Sequence, residues 1–361
     1  MSTKIGIVGL PNAGKSSLFN ALTNAGAEAA NYPFTTIEPN VAVVPVVDRR
    51  LDAVASVVHA SEIVYDTIDF HDIAGLVRGA HEGEGLGNRF LANIRETDAI
   101  LHVVRAHHDE RVVHPDGAVD PLRDIETVEA ELALADLDQA QRRLERVGRA
   151  AKSGEPVARA EELWLREVID ALQAGKPART VPIPAQAPNA ARELCAITSK
   201  PVLFVANVDE GELDVPEAVA AHAADQQAGA VAISSRLESE LAELEEQEAD
   251  AMRKELGLSD SGLQRVVAGA FSLLRLIAFF TAGEDRPAQS WHLHEGLTAW
   301  HAAGQIHTEI QRGFVRAEVV AWDQLVQSGG YAKARERGLL RLEGRDYVMG
   351  DGDVITIRFT P

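Results

Sequence analysis

The sequence predicts an α/β protein: a mostly parallel sheet flanked by helices, an inserted helical hairpin, and a small α+β domain after it. Three observations predict this. The chain opens with a strand, a glycine loop and a helix, Lys4 to Asn20, read as KIGIVGLPNAGKSSLFN. It then returns to short apolar runs at 41–47, 64–70, 99–104, 201–206 and 229–235, most of them without polar alternation, as expected of strands buried on both faces. Between 104 and 201 the pattern changes to long charged helices, and after 280 to glycine turns between strand-like segments.

In the opening stretch Ile5, Ile7 and Val8 make the strand, and Gly9 to Ser16 spell G-x-x-x-x-G-K-S. The glycines let successive backbone N–H groups turn inward around a phosphate that no bulky side chain blocks. In that pattern Lys15 reaches the β- and γ-phosphates and the Ser16 hydroxyl ligates Mg²⁺. The helix through Leu18, Phe19 and Leu22 turns its unpaired N–H groups and the positive end of its dipole to the same anion.

Asn31 to Asn40 reads as a polar loop before the strand at 41–47. A threonine there completes a Mg²⁺ shell and senses the γ-phosphate through its N–H; Thr36 is preferred to Thr35, the alternative being a local turn device. The run Val64 to Phe70 ends in Asp72 and Gly75, which put a carboxylate beside the metal's water shell and an N–H near the γ-phosphate. Leu76 stands where many GTPases place the glutamine that orients the attacking water, a task no apolar side chain performs. The glycine-rich residues 78–88 read as a switch segment.

Behind the run at 99–104 a loop carries His107, His108 and His114. A histidine here can position or polarise a water, or simply face solvent; a zinc site is not expected, with no neighbouring cysteine and no i,i+4 histidine pair on a helix. From Pro121 to about Gly175 apolar residues recur at helical spacing, interrupted at 148–156, which predicts an antiparallel hairpin whose charged faces are solvated or bind a partner. Pro177 to Pro188 reads as a proline-rich return to the sheet.

The run at 201–206 delivers Asn207-Val-Asp-Glu210 to the carboxyl end of the sheet, where ligands bind. GTPases place Asn-Lys-x-Asp here, and the Asp takes the two guanine donors at N1 and N2. Glu210 is one methylene too long for that fit and Val208 replaces the lysine, while Asn207 can still donate to adenine N7 and accept from its N6 amino group. The motif leans to ATP. Further on, helices are expected at Leu237–Leu256, Leu263–Phe280 and Leu297–Ile310, with strands at Ser290–His294 and Val315–Trp322 and a hairpin at Asp346–Phe359. This last region shows no catalytic constellation and reads as a binding module.

Composition bounds the partners. With 46% apolar residues the chain can bury a large core, and no apolar run approaches a membrane span. One cysteine, Cys195, fits a reducing compartment, and with no signal peptide expected before the phosphate loop the reading is cytoplasmic. A formal charge of −20 argues against a general grip on nucleic acid or anionic lipid, so any RNA contact must use a local basic surface.

Taken together, GLPNAGKSS, NYPFTTIEPN, DIAGL, NVDE, FFTAG, GQIHTEIQRGF and the DGDV segment resemble the Obg-like ATPases of YchF type over essentially the whole chain. That resemblance implies an Obg-type P-loop GTPase-like domain at 1–276 with a coiled-coil-like hairpin inserted at about 121–198, then a ubiquitin-like TGS domain at 277–361. It implies a slowly hydrolysing ATPase that associates with ribosomes. The protein is read as a monomer, and Arg312, Arg316, Lys333, Arg335, Arg337 and Arg341, spread through the TGS region, read either as a local positive patch for RNA or as solvated charge. The nucleotide site maps onto Asn12, Ala13, Gly14, Lys15, Ser16 and Ser17, the metal ligands onto Ser16 and Thr36, and the base segment onto Asn207, Val208 and Glu210. The catalytic histidine that replaces the missing glutamine maps onto His114. Related nucleotidases with asparagine at the position of Asn12 hold K⁺ through its side-chain oxygen; the alternative is an asparagine that braces its own loop. A GTPase that reads its base mainly by backbone, and a ribosome-binding module with incidental turnover, remain the rival readings.

Overall fold

The computed structural model describes residues 3–28, 40–73, 86–109, 112–114, 117–258 and 261–360. Thr36, Gly75, Leu76 and most of the switch segment lie outside the described residues. Two six-stranded sheets organise the chain. The first has β1 (Thr3–Val8) at its centre, with β4 (Thr67–Asp72) and β2 (Val41–Pro45) on one side and β5 (Ala99–Arg105), β6 (Val202–Asn207) and β7 (Gly229–Ile233) on the other. Neighbours run parallel except β2 against β4. Because the inner strands are apolar on both faces, each face needs a helical cover. Helices α1 (Lys15–Glu28) and α10 (Gly262–Leu273) cover one; α3 (Leu86–Arg95), α4 (Pro121–Lys152) and α7 (Glu217–Asp225) cover the other.

Helix α4 is both cover and arm. Its first turns put Ile125, Val128 and Leu132 into the sheet's core, and its distal half packs with α5 (Pro156–Gln173) and α6 (Ala190–Leu194) around Trp164, Leu165 and Val168. The predicted interruption begins later than expected: Gly148 stays helical, and the turn comes at Ser153 and Gly154. The proline-rich return also packs into this core through Ala178 and Ala187. Buried Asp136 fastens it, accepting from the Ile197 and Thr198 N–H groups and the Thr198 hydroxyl at 2.7–2.9 Å.

The second sheet runs β11 (Arg341–Glu343), β10 (Phe314–Ala321), β12 (Asp353–Phe359), β8 (Leu276–Thr281), β9 (Ala288–His294) and β3 (Ile63–Val64). The last strand and α2 (Arg49–Val58) come from early in the chain, yet Leu51, Val54 and Val58 share a core with Phe280, Val320 and Leu325. Nothing in the sequence had placed them there. Arg50 holds the junction, bonded to Asp48 at 2.7 Å and to Asp351 at 2.6 Å, and Thr3 Oγ1 meets His292 Nε2 at 2.9 Å.

Four helical or hairpin expectations are corrected. The run expected as one helix, Leu263–Phe280, ends at Leu273; Arg275 turns left-handed (φ 50°), and Ile277 and Phe279 face one core while Ala278 and Phe280 face another, a strand's period. Leu237–Leu256 is two helices, α8 (Ser235–Leu241) and α9 (Glu246–Glu255). Leu297–Ile310 is likewise divided into α11 (Ala299–Ile306) and α12 (Thr308–Arg312) by the extended backbone of His307. Residues 346–359 form no hairpin: β12 pairs instead with β10 and β8. Two further helices, α13 (Trp322–Ser328) and α14 (Tyr331–Glu336), cover this sheet beside α2. Among the described residues no helix is long and apolar enough to cross a membrane.

The buried centre of the first sheet has a pH cost. His102 of β5 lies against the Phe204 ring (5.4 Å), which meets His222 edge-on, and burial pushes His102 down to about 4. A histidine whose folded pKa lies below its unfolded one contributes stability above the unfolded value that is lost as pH falls toward the folded one. His222 opposes this: its bond to Glu129 raises its pKa, so its share is full at low pH and is lost as pH rises through the raised value. Between pH 7 and pH 5, unfolding of the wild type should lose roughly 2 kcal/mol through His102, and His102→Leu should remove that part of the slope in chemical denaturation. An equal slope in the variant would refute it.

Candidate functional site

The phosphate loop leaves β1 under tight steric constraint. A Cβ on Gly9 would stand 2.3 Å from the Val103 carbonyl oxygen of β5. Gly14 has φ +100°, and a Cβ there would meet Asn207 Nδ2 at 2.2 Å, so both conformation and close approach demand glycine. Helix α1 starts at once: Leu18 donates to the Gly14 carbonyl at 3.0 Å, and Ser16 and Ser17 are exposed in its first turn. The Lys15 ammonium is buried and donates to the Leu10 carbonyl at 2.7 Å. Burial lowers its pKa, opposed by the Asp72 charge; burial raises the Asp72 carboxyl, opposed by Lys15. An anion and a hard cation arriving together would relieve both. A serine hydroxyl and a carboxylate are oxygen donors suited to Mg²⁺. No cluster of three His, Cys, Asp or Glu side chains that could itself hold a metal occurs among the described residues.

At the end of β6 the structure changes the reading of Asn207. Its Nδ2 donates to the Ala13 carbonyl at 3.0 Å and its Oδ1 accepts from the Ser235 N–H at 2.9 Å, in a buried setting. The amide expected to make a two-point adenine contact also clamps the phosphate loop to the β7–α8 turn. Val208 is a packing residue, buried beside Ala206 and Ala232. Glu210 is half exposed and pairs with Arg236 Nε at 3.2 Å, which also reaches Glu240. Ser235, expected at the end of the strand at 229–235, instead opens α8 and keeps a fully buried hydroxyl with no hydrogen-bond partner, beside Asn207 and Gly14. An orphaned polar atom in this position is what the sequence could not announce.

The three histidines separate. His108 is exposed and its N–H reaches Asp209 Oδ2 at 3.3 Å; His107 is half buried, and burial followed by the Arg105 charge lowers its pKa. His114 is buried, its Nε2 2.8 Å from Asp124 Oδ2 at the start of α4. A solvent-facing His114 is therefore ruled out. The preceding residue is tied to the phosphate loop: Asn12, left-handed at φ 63°, donates through Nδ2 to the Val113 carbonyl at 3.0 Å. Asn12 thus braces a neighbouring segment rather than its own loop.

The model for a 50S ribosome-binding GTPase matches residues 4–137, and the YchF GTPase C-terminal model, described as a protein of unknown function, matches residues 276–360. The chain is 46% identical to the ribosome-binding ATPase YchF of Bacillus subtilis, over 99% of this chain and 100% of that one. It is 44% identical to the protein of that name from Escherichia coli O157:H7, over 99% of each. The solved YchF GTPase of Schizosaccharomyces pombe superposes with a TM-score of 0.88 at 31% identity, covering 99% of this chain and 98% of the other.

The loop geometry makes a direct prediction. Gly14→Ala should drive the Asn207 amide off Ala13 and cost ATP affinity at least ~10-fold, measured by equilibrium titration, with about 1–3 kcal/mol of lost stability from the strained φ. Wild-type affinity in this variant would show that the clamp is dispensable.

Proposed function

Since the chain belongs to the YchF family, we propose that it is a ribosome-associated P-loop ATPase that binds ATP and hydrolyses it slowly as a switch. The observation that carries the proposal is the clamped loop, which presents Lys15 and an exposed Ser16 at the amino end of α1. In this reading Lys15 and the loop N–H groups hold the β- and γ-phosphates and stabilise the charge that develops as water attacks. Mg²⁺, held by Ser16 and Thr36 with Asp72 beside its waters, would neutralise the bridged β,γ oxygens. Asn12 has spent Nδ2 on Val113, so its oxygen is the end left for a K⁺ ion. His114, standing in for the glutamine absent at Leu76, orients the attacking water, and its Nε2 contact with Asp124 holds the ring in place.

ATP rather than GTP is favoured because Glu210 is both longer than the aspartate guanine needs and paired with Arg236. We divide the chain into a nucleotide domain at 1–276, with the hairpin inserted at about 121–198, and a TGS domain at 277–361. The protein is read as a cytoplasmic monomer whose TGS domain makes any RNA contact. Several of that domain's basic groups already face acids, Arg335 and Arg358 at Glu318 and Arg341 at Glu343 and Asp353, which offsets their charge toward an RNA.

Competition titration should show tighter ATP than GTP binding, and Glu210→Asp should narrow that ratio about 10-fold, the scale of a bidentate base contact. An unchanged ratio would remove Glu210 from base selection. In single-turnover hydrolysis with ATP prebound, His114→Ala should be slower by ~10²- to 10⁴-fold with ATP affinity nearly unaltered. Hydrolysis at the wild-type rate would end the assignment to His114. Co-sedimentation with ribosomes, with and without ATP, tests the association itself.

A further inference from the structure

The strand that leads to the histidine loop ends in a charge. Arg105 closes the buried run Ala99–Arg105 and is only 2% exposed. Arginine at such depth has to spend its donors. It spends them on main-chain carbonyls of the loop that follows: Nε on His107 at 3.4 Å, Nη2 on Asp109 at 3.0 Å and Nη1 on Val112 at 3.0 Å. One planar fork thus reaches three carbonyls spread along the loop, which the single nitrogen of lysine cannot do. Beyond Val112, the Val113 carbonyl accepts from Asn12 of the phosphate loop, and His114 meets Asp124. Arg105 is also paired in register with Asn207, and the Ala106 N–H donates to the Asn207 carbonyl at 2.9 Å. Its own backbone is therefore fixed beside the clamp that holds the phosphate loop.

We propose that Arg105 is a positioning residue for hydrolysis: by bonding the carbonyls of His107, Asp109 and Val112 it holds residues 106–109 and 112–114 near the phosphate loop and sets where the His114 imidazole stands. The proposal rests on the reading of His114 given above. Arg105 itself acts through the loop and contacts no nucleotide in this account. The loop's path depends on the fork, and the histidine's position depends on the path.

The test compares wild type with Arg105→Lys, which keeps the charge but not the fork, and with Arg105→Met, which removes the buried charge and keeps much of the bulk. Three measurements are made on the full chain: amide hydrogen exchange over 106–114 without nucleotide, ATP affinity, and single-turnover hydrolysis with ATP prebound. Exchange should rise in that segment and hydrolysis fall by ~10- to 100-fold, while ATP affinity stays within about 2-fold. In a His114→Ala background, Arg105→Lys should cost less than ~2-fold more, because the loop no longer carries the group it positions. Unchanged exchange, a full rate despite raised exchange, or an undiminished loss in the His114→Ala background would each overturn the proposal. Failure of the nucleotide reading would look different: the wild type would bind no ATP, while the exchange comparison would still show whether Arg105 holds the loop.

Discussion

The rest of the site depends on the Asn207 amide. A loop whose N–H groups all turn toward a ligand has few bonds of its own to hold it, and glycines give it freedom to collapse. The chain resolves this by reaching across from β6: Asn207 takes the Ala13 carbonyl on one side and the Ser235 N–H on the other. Gly14 is the condition for that contact, since any Cβ would occupy the space of the amide nitrogen. The same bond joins the phosphate end of the pocket to the turn that carries Ser235 and Arg236. One side chain therefore holds the glycine loop and the β7–α8 turn in a fixed relation.

Charge is managed around this clamp in the same economical way. Lys15 and Asp72 are both driven toward neutrality by burial and both held charged by each other. A bound anion would stabilise the first and a bound cation the second, compensation that the chain alone gives only in part. His114 is handled by a bond instead: a carboxylate on α4 takes one ring nitrogen and fixes the ring's orientation.

Much of this was legible in the sequence, for a physical reason. Parallel strands buried on both faces must be apolar throughout, and a phosphate loop needs glycines at fixed spacing, so 4–20, 99–104 and 201–206 declared themselves. What depends on distant partners did not. Leu263–Phe280 is apolar from end to end, and only the left-handed Arg275 and the two cores on either side of β8 divide it into helix and strand. Segment 49–64 gives no hint that it completes the C-terminal sheet, because its partners lie more than 200 residues away. Asn207 was found by its motif, but its bonds to Ala13 and Ser235 were not. An amide can hydrogen-bond to a base or to a carbonyl equally well, and only the fold puts Ala13 within 3.0 Å. Val208 and Ser235 were read as a missing lysine and a stretch of strand, and neither reading announced that both side chains are buried.

Two rigid elements connect this site with the parts of the molecule farthest from it. Strand β1 enters the phosphate loop at one end, and at the other Thr3 bonds His292 of the second sheet, where Asp66 also takes the His292 N–H at 2.7 Å. Helix α4 holds His114 through Asp124 in its first turn and runs on through 32 residues to the tip of the hairpin, stiffened by α5 along its distal half. A packed strand or helix moves as a body, because its core side chains leave no room for gradual deformation. The phosphate loop is thus joined to the C-terminal sheet through β1, and the histidine loop to the hairpin through α4. The two outlying surfaces are attached to different parts of the nucleotide's environment, the one to the loop that binds phosphate and the other to the loop that carries the histidine.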